Sequence, residues 1–147
     1  MGAVSIRCED IDLVAIATSV AGAAQSEIRV DPRDPLMALA DAGRVNQILR
    51  NLFANSIKHG GPHRRLAFSE DREIACVEVR DDGDGIPQDL FDQIFDPYVS
   101  GGDQTGMAPS MGLGLWVSRS LADLMGGRLE AERDGDETVF RLTLPKA

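Results

Sequence analysis

Residues 41–61, DAGRVNQILRNLFANSIKHGG, constrain the fold more than any other stretch of the chain. Val45, Ile48, Leu49, Leu52 and Phe53 recur at steps of three and four and form one apolar stripe on a helix. Asp41 stands where a side-chain cap is needed, and Gly60 and Gly61 end the pattern. Such a helix has to lay its stripe against a second layer.

The remaining pattern supplies that layer. Residues 27–31 and 36–40 read as short strands separated by Pro32 and Pro35. Residues 65–69 and 73–81 read as a strand pair around the turn at Glu70 and Asp71, and 128–132 with 137–144 as a closing hairpin. Asp10 is expected to cap a helix over about 11–24. A further helix is expected to open at Gly112 to Leu115 and run to Met125, with Leu113, Trp116, Val117, Leu121 and Leu124 facing the core and Gly126 and Gly127 stopping it. Residues 88–95 form a short segment, and the Gly-rich run 96–111 reads as a loop long enough to act as a lid. The expected fold is α+β, a two-layer α/β sandwich: a mixed, mostly antiparallel sheet of about five strands, covered on one face by about three helices. At 147 residues and 43% hydrophobic content this is one domain with a real core.

Charge narrows the partners. Fifteen Lys and Arg against twenty-four Asp and Glu give a net charge of −9, which argues against nucleic acid and against contact with an anionic membrane. Cys8 and Cys76 are far apart, and Cys76 sits in the apolar run IACVEV, so a buried free thiol and a reducing, cytoplasmic setting are expected. No apolar stretch has the length of a membrane span, and residues 1–7 do not lead into a signal-peptide pattern.

Three groups of residues carry possible chemistry. Residues 81–87, DDGDGIP, suggest calcium at first sight. An EF-hand with Gly85 at its sixth position would put Arg80 at the first and Phe91 at the twelfth, where oxygen ligands are required, so calcium is excluded. What remains is an acidic turn or a loop whose glycines let the backbone approach a ligand. Asn51, Asn55 and Lys58 share one face of the main helix, beside its apolar stripe. That face is either merely polar or a neutral oxygen ligand for Mg²⁺ beside a cation for phosphate. GLGL at 112–115 puts glycines at a helix start, where N–H groups and the helix dipole attract anions. Neither G-x-x-x-x-G-K-[ST] nor G-x-G-x-x-G occurs.

The N-x-x-x-N helix, then D-x-G-x-G at Asp81, Gly83 and Gly85, then FDPY at 95–98, then GLGL, resemble in order the N, G1, F and G2 boxes of the ATP-binding domain of bacterial sensor histidine kinases, members of the GHKL superfamily. The likeness extends to MGGRLEAE at 125–132, similar to the family's last glycine motif. It implies a Bergerat fold over residues 1–147 with a flexible ATP lid at about 96–111, and ATP and Mg²⁺ as cofactors. Asp81 then matches the residue that accepts a hydrogen bond from the adenine amine, and Asn55 the Mg²⁺ ligand. Asn51 and Lys58 lie near the phosphates, Gly83, Gly85 and Ile86 close over the base, and Gly112, Leu113, Gly114 and Leu115 cradle the phosphate chain. Phe95 and Tyr98 serve first to anchor the lid, Tyr98 at the edge of the nucleotide site. Asp82 and Asp84 are expected to point to solvent.

The resemblance also implies a mechanism and its partners. Hydrolytic members of the superfamily carry Glu four residues before the magnesium Asn, and here that position is Asn51, which cannot serve as a general base. Asn51, Asn55 and Lys58 therefore position Mg-ATP for another nucleophile, a histidine on a separate dimerisation and phosphoacceptor domain, with a response regulator downstream. Neither His59 nor His63 has the acidic helical surroundings of a phosphoacceptor. Two departures fall at the lid: Ser100 where a basic residue is common, and Met111 where a small or hydroxyl residue is common. The alternatives are an anti-sigma-factor-type serine kinase of the same superfamily, which usually carries Glu at the position of Asn51, and a degenerate nucleotide-binding scaffold.

Overall fold

The computed structural model of the chain describes residues 5–24, 28–31, 33–84, 93–96 and 109–147, with backbone alone at 59 and 109–113. A small sheet pairs β1 (Glu9–Asp12) antiparallel with β3 (Met37–Ala40). The main sheet runs in the order β2 (Arg29–Val30), β4 (Arg64–Glu70), β5 (Ile74–Asp81), β7 (Glu137–Pro145), β6 (Arg128–Asp134). The β2–β4 pair is parallel and the other pairs are antiparallel. Helices α1 (Leu13–Ala23), α2 (Ala42–His59) and α3 (Pro109–Leu124) make the second layer, as the sequence led us to expect. Among the described residues no helix is long and apolar enough to cross a membrane.

The core lies between the layers because β5 and β7 alternate. Ala75, Val77 and Val79 of β5, with Phe140, Leu142 and Leu144 of β7, meet Val45, Ile48, Leu49 and Leu52 of α2. The opposite face of the sheet is an ion-pair lattice in which Arg65, Arg80 and Arg141 bridge Asp31, Glu78, Glu132, Asp134 and Glu137. Cys76 is buried and Cys8 exposed, both as free thiols.

Four local expectations change. Asp10 pairs with Leu39 inside β1, and Asp12 caps α1 by accepting from the N–H groups of Val14 at 3.1 Å and Ala15 at 3.3 Å. Trp116 and Leu124 are 44% and 58% exposed, because the buried stripe of α3 runs through Leu115, Ser118, Leu121 and Ala122. That helix begins at Pro109, so 109–111 leave the expected lid, and Gly114 lies in the second turn rather than at the helix opening. Gly60 follows α2 with φ −92° and ψ −175°, an extended conformation open to any residue, so it is not a left-handed stop. Gly126 is one: it has φ +76°, and Gly127 N–H to Ala122 C=O at 2.9 Å with Gly126 N–H to Asp123 C=O at 3.0 Å forms a Schellman motif. The rest of the lid (97–108), most of the segment 88–95, and the expected site residues Gly85, Ile86 and Tyr98 lie outside the described residues.

Candidate functional site

The site begins where the core alternation of β5 continues one step too far. Asp81 takes the inward position after Ala75, Val77 and Val79, and it is 3% exposed. An ionised carboxylate there needs partners. Its Oδ1 accepts from the N–H of Gly83 at 3.0 Å and of Gly61 at 3.3 Å, while Oδ2 takes no hydrogen bond from a described residue. Burial pushes the Asp81 carboxyl above the usual carboxylate range. The two glycine N–H groups pull against this, the Asp82 charge adds to it, and Arg133 pulls down.

Glycines make this approach possible. A Cβ on Gly60 would lie 2.5 Å from Asp81 Cγ, one on Gly61 2.6 Å from Gly83 N, and one on Gly83 2.7 Å from the Gly60 carbonyl carbon. The end of α2 and the loop after β5 are thus interlocked backbone to backbone, and the glycine pair after the main helix belongs to the site. Asp82 does not simply point to solvent. It accepts from the His63 N–H at 3.0 Å, and its Oδ2 lies 2.6 Å from His63 Nδ1, which holds its carboxyl below the usual range. Asp84 is exposed, as expected.

Register adds neighbours that the sequence alone did not single out. Arg64 on β4 and Thr138 on β7 are the cross-strand partners of Asp81, and Arg133 on β6 is the partner of Thr138. One row therefore reads Arg64, Asp81, Thr138, Arg133 across four strands. Thr138 is 2% exposed and accepts from Arg133 at 2.9 Å. The signal available was a polar residue opening the apolar alternation TVFRLTLP, legible only once the hairpin register was known.

The other end of the site lies on α2. Asn55 is 8% exposed, and no described residue hydrogen-bonds its amide; Lys58, one turn on, is exposed. Asn51 donates to Ser118 Oγ at 2.9 Å and to the Gly114 carbonyl at 3.4 Å, so it ties α2 to α3. A Cβ on Gly114 would sit 3.7 Å from Asn51 Cγ, ordinary contact, so packing against α2 does not demand glycine there. Leu115 is buried in the core. Phe95 is buried edge-on to Phe140, with centroids 6.4 Å apart, and the Arg119 guanidinium lies 4.8 Å above its ring, so Phe95 is held in the core. Gly112 is in the first turn of α3.

The donor set fits a magnesium ion only in one way. No group of three or more His, Cys, Asp or Glu that could hold a metal occurs among the described residues. The buried amide of Asn55 suits an ion that takes most of its ligands from phosphate and water.

Comparison with known proteins gives the family from a family model and from curated relatives, and the fold from solved structures. The model of the family described as histidine kinase-, DNA gyrase B- and HSP90-like ATPase matches residues 40–147. The signal transduction histidine-protein kinase AfsQ2 of Streptomyces coelicolor is 32% identical over 148 residues, which cover 99% of this chain and 28% of AfsQ2. The chain thus spans under a third of the length of the curated relatives it matches. The nucleotide-free catalytic domain of histidine kinase ThkA has the same fold, with a TM-score of 0.81 at 24% identity over 95% of this chain and 96% of that domain. Full-length ShkA in complex with AMPPNP superposes with a TM-score of 0.79 at 25% identity over 99% of this chain and 32% of ShkA.

Proposed function

The chain belongs to the histidine kinase-, DNA gyrase B- and HSP90-like ATPase family, and from that premise we propose that it binds Mg-ATP and presents the γ-phosphate to a histidine on a dimerisation and phosphoacceptor domain. The observation that carries the reading is the Asp81 carboxylate: buried, held through one oxygen by two backbone N–H groups, and with its other oxygen unclaimed by described residues. That oxygen accepts the exocyclic amine of adenine. Guanine presents a carbonyl at the same place and is repelled. A hydrogen bond to a charged group is worth roughly 1.5–3 kcal/mol, enough to select one purine over the other.

The other residues divide the remaining work. Asn55 holds the magnesium ion through its amide oxygen, and the ion supplies charge neutralisation for the phosphates. Lys58 adds a cation one turn away, and Gly112, in the first turn of α3, lets backbone groups approach the phosphate chain. Asn51 braces α3 instead of activating water. Its amide nitrogen is committed to Ser118 and Gly114, and an amide is no general base, so hydrolysis is slow and the γ-phosphate awaits a protein nucleophile. Names of relatives support that partner: AfsQ2 is a signal transduction histidine-protein kinase, and ShkA was captured with a non-hydrolysable ATP analogue. A response regulator then receives the phosphoryl group.

Calorimetry with Mg²⁺ tests the first half. ADP binds and GDP does not; equal binding of the two, or no binding, overturns the reading. Labelled ATP tests the second half, with phosphate appearing only after a histidine-bearing helical domain is added. Label on His59 or His63 of the chain alone would refute it.

A further inference from the structure

Each glycine that donates to Asp81 is gripped a second time. Gly61 gives its N–H to Asp81 Oδ1 at 3.3 Å, and its carbonyl accepts from Arg64 at 2.7 Å. Gly83 gives its N–H to the same oxygen at 3.0 Å, and its carbonyl accepts from Arg133, also at 2.7 Å. The arginines stand on opposite sides of Asp81 in the cross-strand row, Arg64 on β4 and Arg133 beyond Thr138 on β6.

We propose that Arg64 and Arg133 form a brace that positions the adenine-reading carboxylate by fixing the two glycine residues that orient it. Neither arginine touches the base in this scheme; both act through Gly61 and Gly83. On the β6 side one guanidinium nitrogen of Arg133 reaches both Gly83 C=O at 2.7 Å and Thr138 Oγ1 at 2.9 Å, so a single cation ties the loop after β5 to β7. With both N–H groups held, Asp81 Oδ1 is committed and Oδ2 is aimed at a single direction. Preorganisation of this kind raises affinity by reducing what must be ordered on binding.

The inference rests on the adenine reading of Asp81, so its test has one arm that needs no nucleotide. In the free protein, amide hydrogen exchange at Gly83 is expected to speed up at least fivefold in Arg133→Ala, and at Gly61 in Arg64→Ala, with partial recovery in Arg133→Lys. In the second arm, Arg133→Ala weakens ADP binding about tenfold, the order of one lost hydrogen bond from a charged donor. Binding of IDP, whose hypoxanthine lacks the exocyclic amine, changes less than twofold, so selectivity for ADP falls. Unchanged exchange at both glycines, or equal weakening of ADP and IDP, overturns the brace. If the unmodified chain binds no ADP while the exchange effects appear, the adenine reading fails and the brace stands.

Discussion

The two ends of the site are built on opposite terms. At the proposed adenine end, the loops that hold Asp81 Oδ1 are fixed by glycines with no room for a side chain, by Arg64 and Arg133, and by the Asp82–His63 strap. At the proposed phosphate end, Asn55 and Lys58 have no hydrogen-bond or ion-pair partner among the described residues, and only Asn51 is tied down. A base is read by one rigid hydrogen bond, so the reader must be placed before the ligand arrives. Phosphates bring charge and a metal ion with them, so their ligands can be left free. The largest effects of mutation should therefore fall on the fold and binding together at the first end, and on binding alone at the second.

Gly83→Ala gives the strongest contrast. Its Cβ would enter backbone atoms of Gly60 and Gly61, and backbone cannot swing aside as a flexible side chain can. A loss of about 1–3 kcal/mol of stability is expected, the range for forced overpacking. Thermal unfolding should show it, and ADP binding should fall beyond detection by calorimetry. A variant that unfolds like the parent would mean that the two loops are not interlocked.

Asp81→Asn separates reading from holding. The amide oxygen can still accept from Gly61 and Gly83, but the NH₂ group opposes the adenine amine, so ADP affinity should drop about ten- to a hundredfold. Stability moves the other way. The Asp81 carboxyl sits above its ordinary range in the folded chain, so the native state holds the proton more tightly than the unfolded one. Its contribution to stability is then most favourable in acid and declines as pH rises through the window between the unfolded and folded values. The Asn variant should match or exceed the parent in melting temperature at neutral pH, with its relative advantage shrinking in acid. Asp82 shifts downward and works in the opposite sense, its contribution present above the ordinary carboxylate range and lost as pH falls.

At the other end, Asn55→Ala and Lys58→Ala test freedom from structural duty. Lys58→Ala should lower Mg-ATP affinity by about three- to tenfold and leave stability within about 0.5 kcal/mol, as for surface substitutions. Asn55→Ala should abolish most of the magnesium dependence of binding with an equally small change in melting temperature. A large destabilisation from either would show that the phosphate end is also structural.

This division explains what could be read from the sequence. The stripe of α2, the strand pair β4–β5 and the closing hairpin were legible because burial imposes a period of 3.6 or 2 on the residue pattern. Asp81 and Asn55 were singled out through motif spacing, and the structure buries both. The brace was not, because Arg64, Thr138 and Arg133 meet Asp81 only through strand register, and a charged residue in a strand looks like any solvated one. The face of α3 was misjudged because WVSRSLADLM is apolar on more than one side. Ser118 wins the buried position by receiving Asn51, which leaves Trp116 outside.

The smallest expected effect lies between the two ends. Ser56 follows Asn55 on α2, is 1% exposed, and its hydroxyl has no hydrogen-bond partner among the described residues. A hydroxyl buried without a partner costs stability, and truncating the side chain to a methyl removes that cost while opening almost no cavity. Ser56→Ala should therefore be neutral or raise stability by up to about 1 kcal/mol, and ADP affinity should stay within twofold of the parent. The second measurement matters more. Ser56 is one residue from the proposed metal ligand and four from Gly60, whose N–H bonds to the Ser56 carbonyl at 2.8 Å. If the alanine variant loses ADP affinity while keeping its melting temperature, the hydroxyl contributes to the nucleotide site. The rigid adenine end would then reach a full turn further along α2 than the contacts around Asp81 imply.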